Sequence, residues 1–468
     1  MIQRRYRAAL LALVLACVAF LPNAAVVAAG GGQAQDLAPW LQNVVDSERV
    51  AWKVPGVSAA VILGDGSHWA GVSGRSFVAP DQSVVSDTGF VVGSITKTFI
   101  ASLILELRDD GLLALDDPLA DWLPDYPNAA NITIRQLLSH TSGVFDYFNH
   151  TDYPGAVYGN PGKSWTPTEI LTRFAHAPYF APGTGYHYSN TNYILLGLIA
   201  EAAGGAPVGQ QLRTRFWKPL GLDDTHIQSE GPPPASAARG YWWSDGRFID
   251  KGDQSGYRPT RSAATVAWSV GDVVASATDI ADWANSLYGG EVLSPASLAE
   301  MTDWQANPGD GHYGLGVRVE EYGGRQMLGH TGSIRGYTSV VWYVPSEDAT
   351  FVVLTNRGRS DAFEAIVNGL MDVAFGGVDE TAPTVPSGIA AAPRSFRYVD
   401  LSWKASFDNM PGTIRYRVFR DGAAIGTTTL VTFTDRPRVG RHSYRVRAVD
   451  IAGNRSVKSA AATTTAFR

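Results

Sequence analysis

A change in hydrophobic periodicity near residue 384 divides this chain of 468 residues into two parts. Residues 30–376 mix helical periods with strand-like runs, whereas residues 384–468 read as short alternating strands. Residues 377–383 lie between them and carry glycine and proline in a polar stretch that is typical of a linker. Because the chain is long for one ordinary domain, we expect two folded units with these boundaries.

In the longer part, strand-like runs lie at both ends and helices lie between them. The strand-like runs are at 57–63, 69–73, 313–319, 339–343 and 351–354, and the amphipathic helices are at 95–108, 192–202, 278–288 and 361–374. Such an order predicts an antiparallel sheet whose first and last strands meet. We therefore expect an α+β fold, with an antiparallel β-sheet flanked by helices and a helical subdomain.

In the shorter part, apolar residues alternate with arginines. Tyr416 and Val418 alternate with Arg415 and Arg417, so that one face of the strand is apolar and the other cationic. This pattern predicts a small all-β sandwich. A similar run covers residues 444–448. Leu401-Ser402-Trp403 and the Asp-Ile-Ala-Gly-Asn segment at 450–454 make this part of the chain resemble a fibronectin type III module. The resemblance implies a spacer or adaptor, and association with a cell wall or surface is an open alternative.

The N-terminus is predicted to be an export signal. Three arginines within the first seven residues precede an apolar run over 8–21, and small residues follow up to position 29. Residues 1–29 would then be removed and the protein would be secreted, from a bacterium. The Arg4-Arg5 pair leaves a twin-arginine signal open, and Cys17 leaves a lipoprotein signal open. Oligomeric state stays open.

Composition and residue spacing argue against several function classes. The chain is 45% hydrophobic and 18% charged, with a net charge of −6, which gives no electrostatic footprint for nucleic acid. Its nine histidines are scattered and form no zinc-binding motif. We expect neither a metal nor an organic cofactor.

The segment from Gly93 to Lys97 carries the strongest chemical signal. It opens a helix, so Ser94 and Lys97, three residues apart, lie on one helix face within hydrogen-bond reach. A serine hydroxyl becomes a good nucleophile when a neighbouring base takes its proton, and an uncharged, buried lysine can do so. The backbone N–H of Ser94 at the helix start can also receive a developing oxyanion.

Two further motifs follow. Tyr188-Ser189-Asn190 comes after a loop rich in turn residues; Tyr188 could shuttle a proton if the Lys97 ammonium lowers its pKa. Asn190 could contact a substrate amide and Lys97, or else cap the helix that follows. His330-Thr331-Gly332 lies where a strand should run along the pocket and bind a peptide-like substrate by strand addition.

These three motifs, in this order and spacing, resemble those of the penicillin-recognising serine hydrolases, related to the serine β-lactamases. That family includes class C β-lactamases, D-alanyl-D-alanine carboxypeptidases, esterases and D-aminopeptidases. The resemblance runs from about Val57 to Val373. It implies that the Ser333 N–H is the second oxyanion donor. Because most β-lactamases have lysine where this chain has His330, it favours a carboxypeptidase or esterase.

Two softer candidates complete the site. Trp268 resembles an aromatic pocket wall in the carboxypeptidases, although a tryptophan of the core is an equal alternative. Arg318 could hold a substrate carboxylate by a bidentate contact, although a solvated arginine is the default.

The sequence thus predicts a serine hydrolase that forms an acyl-enzyme on Ser94. The substrate that we expect first is a D-Ala-D-Ala-type peptide of the cell wall. A β-lactam or a small ester is the alternative within the family. A penicillin-binding sensor or a catalytically silent scaffold is the alternative from another class.

Overall fold

The computed structural model describes residues 32–304, 312–376, 381–394, 397–408, 413–450 and 453–467. The predicted export signal, residues 1–29, lies outside the described residues, as do residues 377–380 of the predicted linker. Within the described ranges, no helix is both long enough and apolar enough to cross a membrane.

Helices lie in the part of the chain up to residue 376, and strands occur along its whole length. The helices are α1 (Gln33–Ala51), α2 (Thr96–Asp109), α3 (Ile134–Leu138), α4 (Tyr153–Tyr158), α5 (Pro167–Arg173), α6 (Asn190–Gly204), α7 (Val208–Leu212), α8 (Lys218–Leu220), α9 (Arg261–Gly271), α10 (Ala277–Tyr288), α11 (Pro295–Thr302) and α12 (Ala362–Gly376). The strands are β1 (Gly56–Ile62), β2 (His68–Phe77), β3 (Gln82–Ser83), β4 (Phe90–Val91), β5 (His226–Ile227), β6 (Tyr241–Ser244), β7 (Arg247–Asp250), β8 (Val273–Ala275), β9 (Arg318–Tyr322), β10 (Arg325–Ile334), β11 (Tyr337–Val344), β12 (Ala349–Thr355), β13 (Ser387–Arg394), β14 (Tyr398–Lys404), β15 (Arg415–Arg420), β16 (Ala423–Thr428), β17 (Thr432–Asp435), β18 (Gly440–Val449) and β19 (Ala462–Ala466).

The main sheet is antiparallel and has the strand order β3–β2–β1–β12–β11–β10–β9. Strand β1 pairs with β12 from Val57 opposite Thr355 to Ile62 opposite Thr350. The first strand of this unit therefore meets one of its last, as the sequence predicted. The α+β prediction is confirmed.

Both faces of this sheet are covered, because β1, β11 and β12 are buried along their whole length. Alternate side chains of a strand point to opposite faces. Val57, Ala59 and Val61 pack with α1 and α12, which form the back layer. Ala60 and Ile62 join a larger core that contains α2, α6 and α10, which form the front layer.

Helix α2 is the most buried element of the front layer. Its residues from Thr96 to Leu105 are buried without interruption, and Phe99 stacks on Trp283 of α10 with 4.1 Å between ring centroids. The sequence predicted one helix from residue 95. The structure instead places a short 3₁₀ turn over Gly93–Ile95 before α2 begins.

The predicted strand at 313–319 begins only at Arg318 in the structure. Gly316 explains the difference, because its φ of 80° is incompatible with an extended strand. The glycine also lets the chain approach α2, since a Cβ at this position would overlap Ala101.

The part of the chain beyond residue 381 folds into two antiparallel sheets, with strand orders β13–β14–β17 and β16–β15–β18–β19. One apolar core lies between them and contains Leu401, Trp403, Val418 and Val446. The small all-β sandwich is therefore confirmed. Its assignment as a fibronectin type III module stays a prediction, as do the exact domain boundaries.

Strand β10 lies against the turn that precedes α2. The Ser339 hydroxyl on β11 donates to the Val92 carbonyl at 2.8 Å, and a Cβ on Gly332 would overlap both groups. Only glycine at position 332 lets the strand and the turn approach this closely.

We expect Gly332→Ala to lower the free energy of unfolding by about 1–3 kcal/mol, because the added methyl group overpacks this contact. Urea denaturation followed by circular dichroism measures the change. Gly155→Ala in α4 is the matched control, since no atom lies within 4 Å of a Cβ at that position. Equal stability of the two variants would contradict the close-packing argument.

Candidate active site

Ser94 and Lys97 meet at the start of α2. Gly93 has a φ of 54°, which turns the chain from β4 into the 3₁₀ turn that carries Ser94. One helical turn later, the Lys97 Nζ lies 3.0 Å from the Ser94 Oγ. The hydrogen-bond contact predicted from their three-residue spacing is therefore present.

The Lys97 amine is held by polar groups from two other helices. Its Nζ lies 3.0 Å from the Asn190 Oδ1 at the start of α6 and 3.0 Å from the Val270 carbonyl oxygen on α9. Both oxygens can only accept. An uncharged amine has two hydrogens and one lone pair, so donation to these two acceptors leaves the lone pair for the Ser94 hydroxyl.

The protonation state of Lys97 follows from its surroundings. The side chain is fully buried, and burial lowers its pKa well below the ordinary value. The negative charge of Asp146 opposes this shift, and the positive charge of Arg318 adds to it. The lowered pKa favours the uncharged amine, which is the form that can accept a proton from serine.

Tyr188 lies on the other side of Lys97, whose Nζ is 5.1 Å from the tyrosine ring centroid. The Tyr188 hydroxyl is buried and makes no hydrogen bond of ordinary geometry with a described residue, although Ser94 is close enough to lower its pKa. Burial is the larger effect and raises the pKa of Tyr188. The condition set for Tyr188, a pKa lowered by the Lys97 ammonium, is therefore not met: burial favours the phenol form of Tyr188, and Lys97 is the better candidate for the base.

Asn190 links Lys97 to an acid that the sequence analysis missed. While its Oδ1 accepts from Lys97, its Nδ2 lies 3.2 Å from both carboxylate oxygens of Asp146. The Asn190 side chain thus joins Lys97 to Asp146, and its contact with a substrate amide stays a prediction. Its N-capping alternative is not observed, because Ser189 precedes the helix.

His140 is a second residue that the sequence analysis did not place here. Its ring centroid lies 4.1 Å from that of Tyr188, and its Nδ1 accepts from the Ser189 N–H at 3.1 Å. Burial lowers its pKa well below the ordinary value. The neutral ring therefore fixes the backbone next to Tyr188. In the sequence, His140 follows a short helix and cannot be told from a residue of an ordinary turn. Its φ of 59° in the structure is also typical of a turn.

His330 has a different role from the predicted contact with substrate. Its side chain is buried; its Nδ1 lies 2.6 Å from the Thr331 carbonyl oxygen and its Nε2 lies 3.0 Å from the Tyr313 hydroxyl. Burial, together with Arg318 and Lys97, lowers its pKa well below the ordinary value. Both ring nitrogens are engaged within the protein, so His330 supports β10, and its lowered pKa favours the neutral ring.

The backbone of β10 borders the nucleophile. A Cβ built on Gly93 would lie 3.0 Å from the Ser333 nitrogen, so the main chains of Ser333 and of the Ser94 turn are adjacent. Thr331 and Gly332 precede it on the same strand. The oxyanion-binding role of the Ser94 and Ser333 N–H groups stays a prediction that is compatible with this placement.

Arg318 lies at the site and carries its cationic charge. It is opposite Gly329 on the neighbouring strand, and its guanidinium carbon lies 5.6 Å from the Tyr188 ring centroid. About a third of the side chain is exposed, 31%, and Glu320 is its ion-pair neighbour at 3.9 Å. Its Nε has no hydrogen-bond partner among the described residues. Because the side chain is partly exposed and its ion pair with Glu320 is long, Arg318 can still bind an anionic ligand.

Trp268 belongs to the core, because only 7% of it is exposed and it packs among apolar side chains of the front layer. Of the two alternatives that the sequence left open, the structure therefore favours a tryptophan of the core over a pocket wall. Trp268 also interrupts α9 with a φ of 33° and a ψ of −122°. This strained conformation comes two residues before the Val270 carbonyl that binds Lys97.

Comparison with known proteins agrees with this geometry. A family model described as Beta-lactamase matches residues 41–374. Penicillin-binding protein 4 of Amycolatopsis lactamdurans is 30% identical over 387 residues, which cover 78% of this chain and 97% of that protein. Unguisins hydrolase ungD' of Aspergillus campestris (strain IBT 28561) is 27% identical over 72% of this chain, and the chain spans 65% of its length.

A solved structure gives the same result. The D-amino acid amidase from Ochrobactrum anthropi SV3, complexed with L-phenylalanine amide, superimposes with a TM-score of 0.62. It is 31% identical over 72% of this chain and 96% of the amidase chain. The family model covers well over half of the chain and includes Ser94, Lys97 and Tyr188. The chain therefore belongs to the beta-lactamase family and is a serine hydrolase.

Proposed function

We propose that this protein is a D-peptidase that removes the C-terminal residue from D-Ala-D-Ala-type peptides through an acyl-enzyme on Ser94. The observation that carries the proposal is the buried Lys97 amine, whose Nζ lies 3.0 Å from the Ser94 hydroxyl. The guanidinium of Arg318, whose Nε has no hydrogen-bond partner among the described residues, lies near this pair. The first group activates the nucleophile, and the second suits a substrate that ends in a carboxylate.

The cycle begins when Lys97 takes the proton of Ser94 and the Ser94 Oγ attacks the peptide carbonyl. The oxyanion that forms is stabilised by the N–H groups of Ser94 and Ser333. The proton on Lys97 passes to the leaving amine by way of the Tyr188 phenol, which gives its own proton and receives that of Lys97. A water molecule then attacks the ester; Lys97 and Tyr188 take one of its protons and deliver it to the Ser94 oxygen as the acyl group leaves as a carboxylic acid.

Substrate preference follows from the charges around the nucleophile. Arg318 is half-buried beside Tyr188, whereas Asp146 lies behind Asn190 and is engaged with its amide. A positive field at the mouth of the site attracts a carboxylate and opposes an ammonium group. This favours a carboxypeptidase over an aminopeptidase.

A second candidate is hydrolysis of D-amino acid amides. The 31% identity with the D-amino acid amidase favours it, because the same acylation step serves an amide. A β-lactam or a small ester requires that step too, and a long-lived acyl-enzyme would instead make a penicillin-binding sensor. A catalytically silent scaffold is disfavoured by the assembled Ser94 and Lys97 contact.

We also propose that the protein is secreted, on the basis of the arginines and the apolar run within residues 1–29. N-terminal sequencing of protein recovered from the culture medium tests this, with a mature start near Gly30 as the expected result. Retention of residues 1–29 would contradict it.

Ser94→Ala should lower kcat on every ester, amide and β-lactam that the parent hydrolyses by about 10³-fold or more, because no other hydroxyl replaces the nucleophile. It should also abolish the mass shift that a fluorescent penicillin produces on the intact protein. Ser47→Ala on α1 is the control, since its hydroxyl only contacts a carbonyl of its own helix. A Ser94→Ala variant that keeps its turnover would rule out the acyl-enzyme.

Arg318→Ala should lower kcat/KM for a peptide that ends in D-Ala-D-Ala by about 10- to 100-fold, which is typical for loss of a charged hydrogen bond. The same peptide with an amidated C-terminus should lose less than about threefold, because it carries no carboxylate. Arg325→Ala, which removes an arginine paired with Glu347, controls for the change in net charge. An equal loss with both peptides would show that Arg318 does not bind the carboxylate.

The pH profile tests which group is the base. Activity requires uncharged Lys97, so kcat/KM should be full above the Lys97 pKa and fall as the pH drops through it. Because Asp146 raises the Lys97 pKa and Arg318 lowers it, Asp146→Asn should move this acid limb to lower pH and Arg318→Ala should move it to higher pH. The profiles are measured with an uncharged nitrophenyl ester. Shifts in the same direction would exclude Lys97 as the titrating base.

A further inference from the structure

A pocket of about 390 Å³ on the C-terminal sandwich is lined by four arginines. They are Arg415 and Arg417 on β15, Arg447 on β18, and Arg455 in the loop beyond it; we name this site the arginine pocket. The other residues that line it are small or apolar. The pocket opens on the outer face of the sheet β16–β15–β18–β19, away from the apolar core of the sandwich.

The strand register forces these cations together. Arg417 is directly opposite Arg447 in the pairing of β15 with β18. Tyr416 and Val418 are buried in the sandwich core, so the arginines that alternate with them must point outward. Like charges directly opposite each other on neighbouring strands destabilise a sheet. An anion bound in the pocket would reduce the repulsion between these arginines.

Acidic partners are scarce around this pocket. Within the described ranges, Arg417, Arg447 and Arg455 form no ion pair, and Glu48 of α1 is 3.8 Å from Arg415. Asp450 is the other carboxylate that acts on Arg415. The two carboxylates thus neutralise only the Arg415 side of the pocket. The guanidinium groups of Arg417, Arg447 and Arg455 have no carboxylate partner among the described residues.

Donors in the pocket are also left without acceptors. The Nε of Arg447 and the Nε and Nη2 of Arg415 are buried and have no hydrogen-bond partner among the described residues. A buried donor without an acceptor is costly, and a guanidinium fork matches the oxygens of phosphate in a bidentate contact. These buried donors leave positive charge beside the pocket that nearby acceptors do not offset, and an oxyanion bound to the exposed parts of the arginines would offset it.

The cationic surface extends beyond the pocket. The Lys458 Nζ lies 3.9 Å from the Phe419 ring centroid, and the guanidinium carbons of Arg417 and Arg447 lie 5.8 and 6.0 Å from the same ring. The positive charge therefore covers more area than one small anion contacts. This extent favours a ligand with several anionic groups in a row.

We propose that the arginine pocket binds successive phosphate groups of an anionic polymer other than a nucleic acid and so holds the protein on that polymer. The site is separate from Ser94 and does not depend on the proposed peptidase activity. It gives the C-terminal sandwich a binding role in place of a role as a spacer.

Isothermal titration of the full-length protein with inorganic pyrophosphate and with long-chain polyphosphate tests the proposal. We expect polyphosphate to bind more tightly per phosphate, and Arg417→Ala to weaken its binding at least tenfold. Arg438→Ala removes an exposed arginine of the same sandwich outside the pocket and should keep parental affinity. Nitrophenyl ester turnover should be unchanged in both variants. Arg417 is exposed, so its loss should not unfold the sandwich, and a thermal unfolding curve verifies this.

Any of four results would overturn the proposal. Absence of binding of either probe to the parent removes the site. An equal loss of affinity in Arg417→Ala and Arg438→Ala shows general charge attraction and not a pocket. Equal affinity per phosphate for pyrophosphate and polyphosphate assigns the pocket to a free oxyanion, and tighter binding of single-stranded DNA of equal phosphate number assigns it to nucleic acid.

Discussion

The burial of one amine organises this hydrolase. Lys97 lies on α2, which the front layer and the main sheet enclose from all sides, so its nitrogen has no access to water. A charged ammonium there would be strongly disfavoured, and the fold instead supplies two carbonyl-type acceptors and one hydroxyl. Each acceptor comes from a different helix. The chemistry at Ser94 therefore depends on how α6 and α9 pack against α2.

The cation of the site is not the residue that the motif order indicated. His330 is neutral and engaged with Tyr313, and the exposed cation is Arg318 on the neighbouring strand. Because β9 and β10 are hydrogen-bonded neighbours, a residue on β9 can serve the same cleft. A guanidinium keeps its charge at every relevant pH, whereas an imidazole would not.

The sequence predicted the parts of this structure that depend on local pattern. The contact of Ser94 with Lys97 follows from helical spacing, and the pairing of β1 with β12 follows from strands at both ends of one unit. Asp146 and His140 were missed because their roles arise from contacts with Asn190 and Tyr188 some fifty residues away. The protonation states of Tyr188 and His330 could not be predicted either, since burial determines both and no local pattern reports it.

Other differences have the same origin. Trp268 was open between a pocket wall and the core, because a single aromatic residue fits both until its neighbours are known. Helix α1 was not predicted, although Leu37, Leu41, Val44 and Val45 give it a helical stripe that packs on the sheet.

The back layer determines where the sandwich is attached. Helix α12, the last element before the predicted linker, covers the sheet face opposite to α2, together with α1. The chain therefore leaves the hydrolase behind the cleft, and Glu48 on α1 already touches Arg415 of the sandwich there. An enzyme tethered from its rear keeps its entrance turned outward, so anchorage and substrate entry need not compete for the same surface.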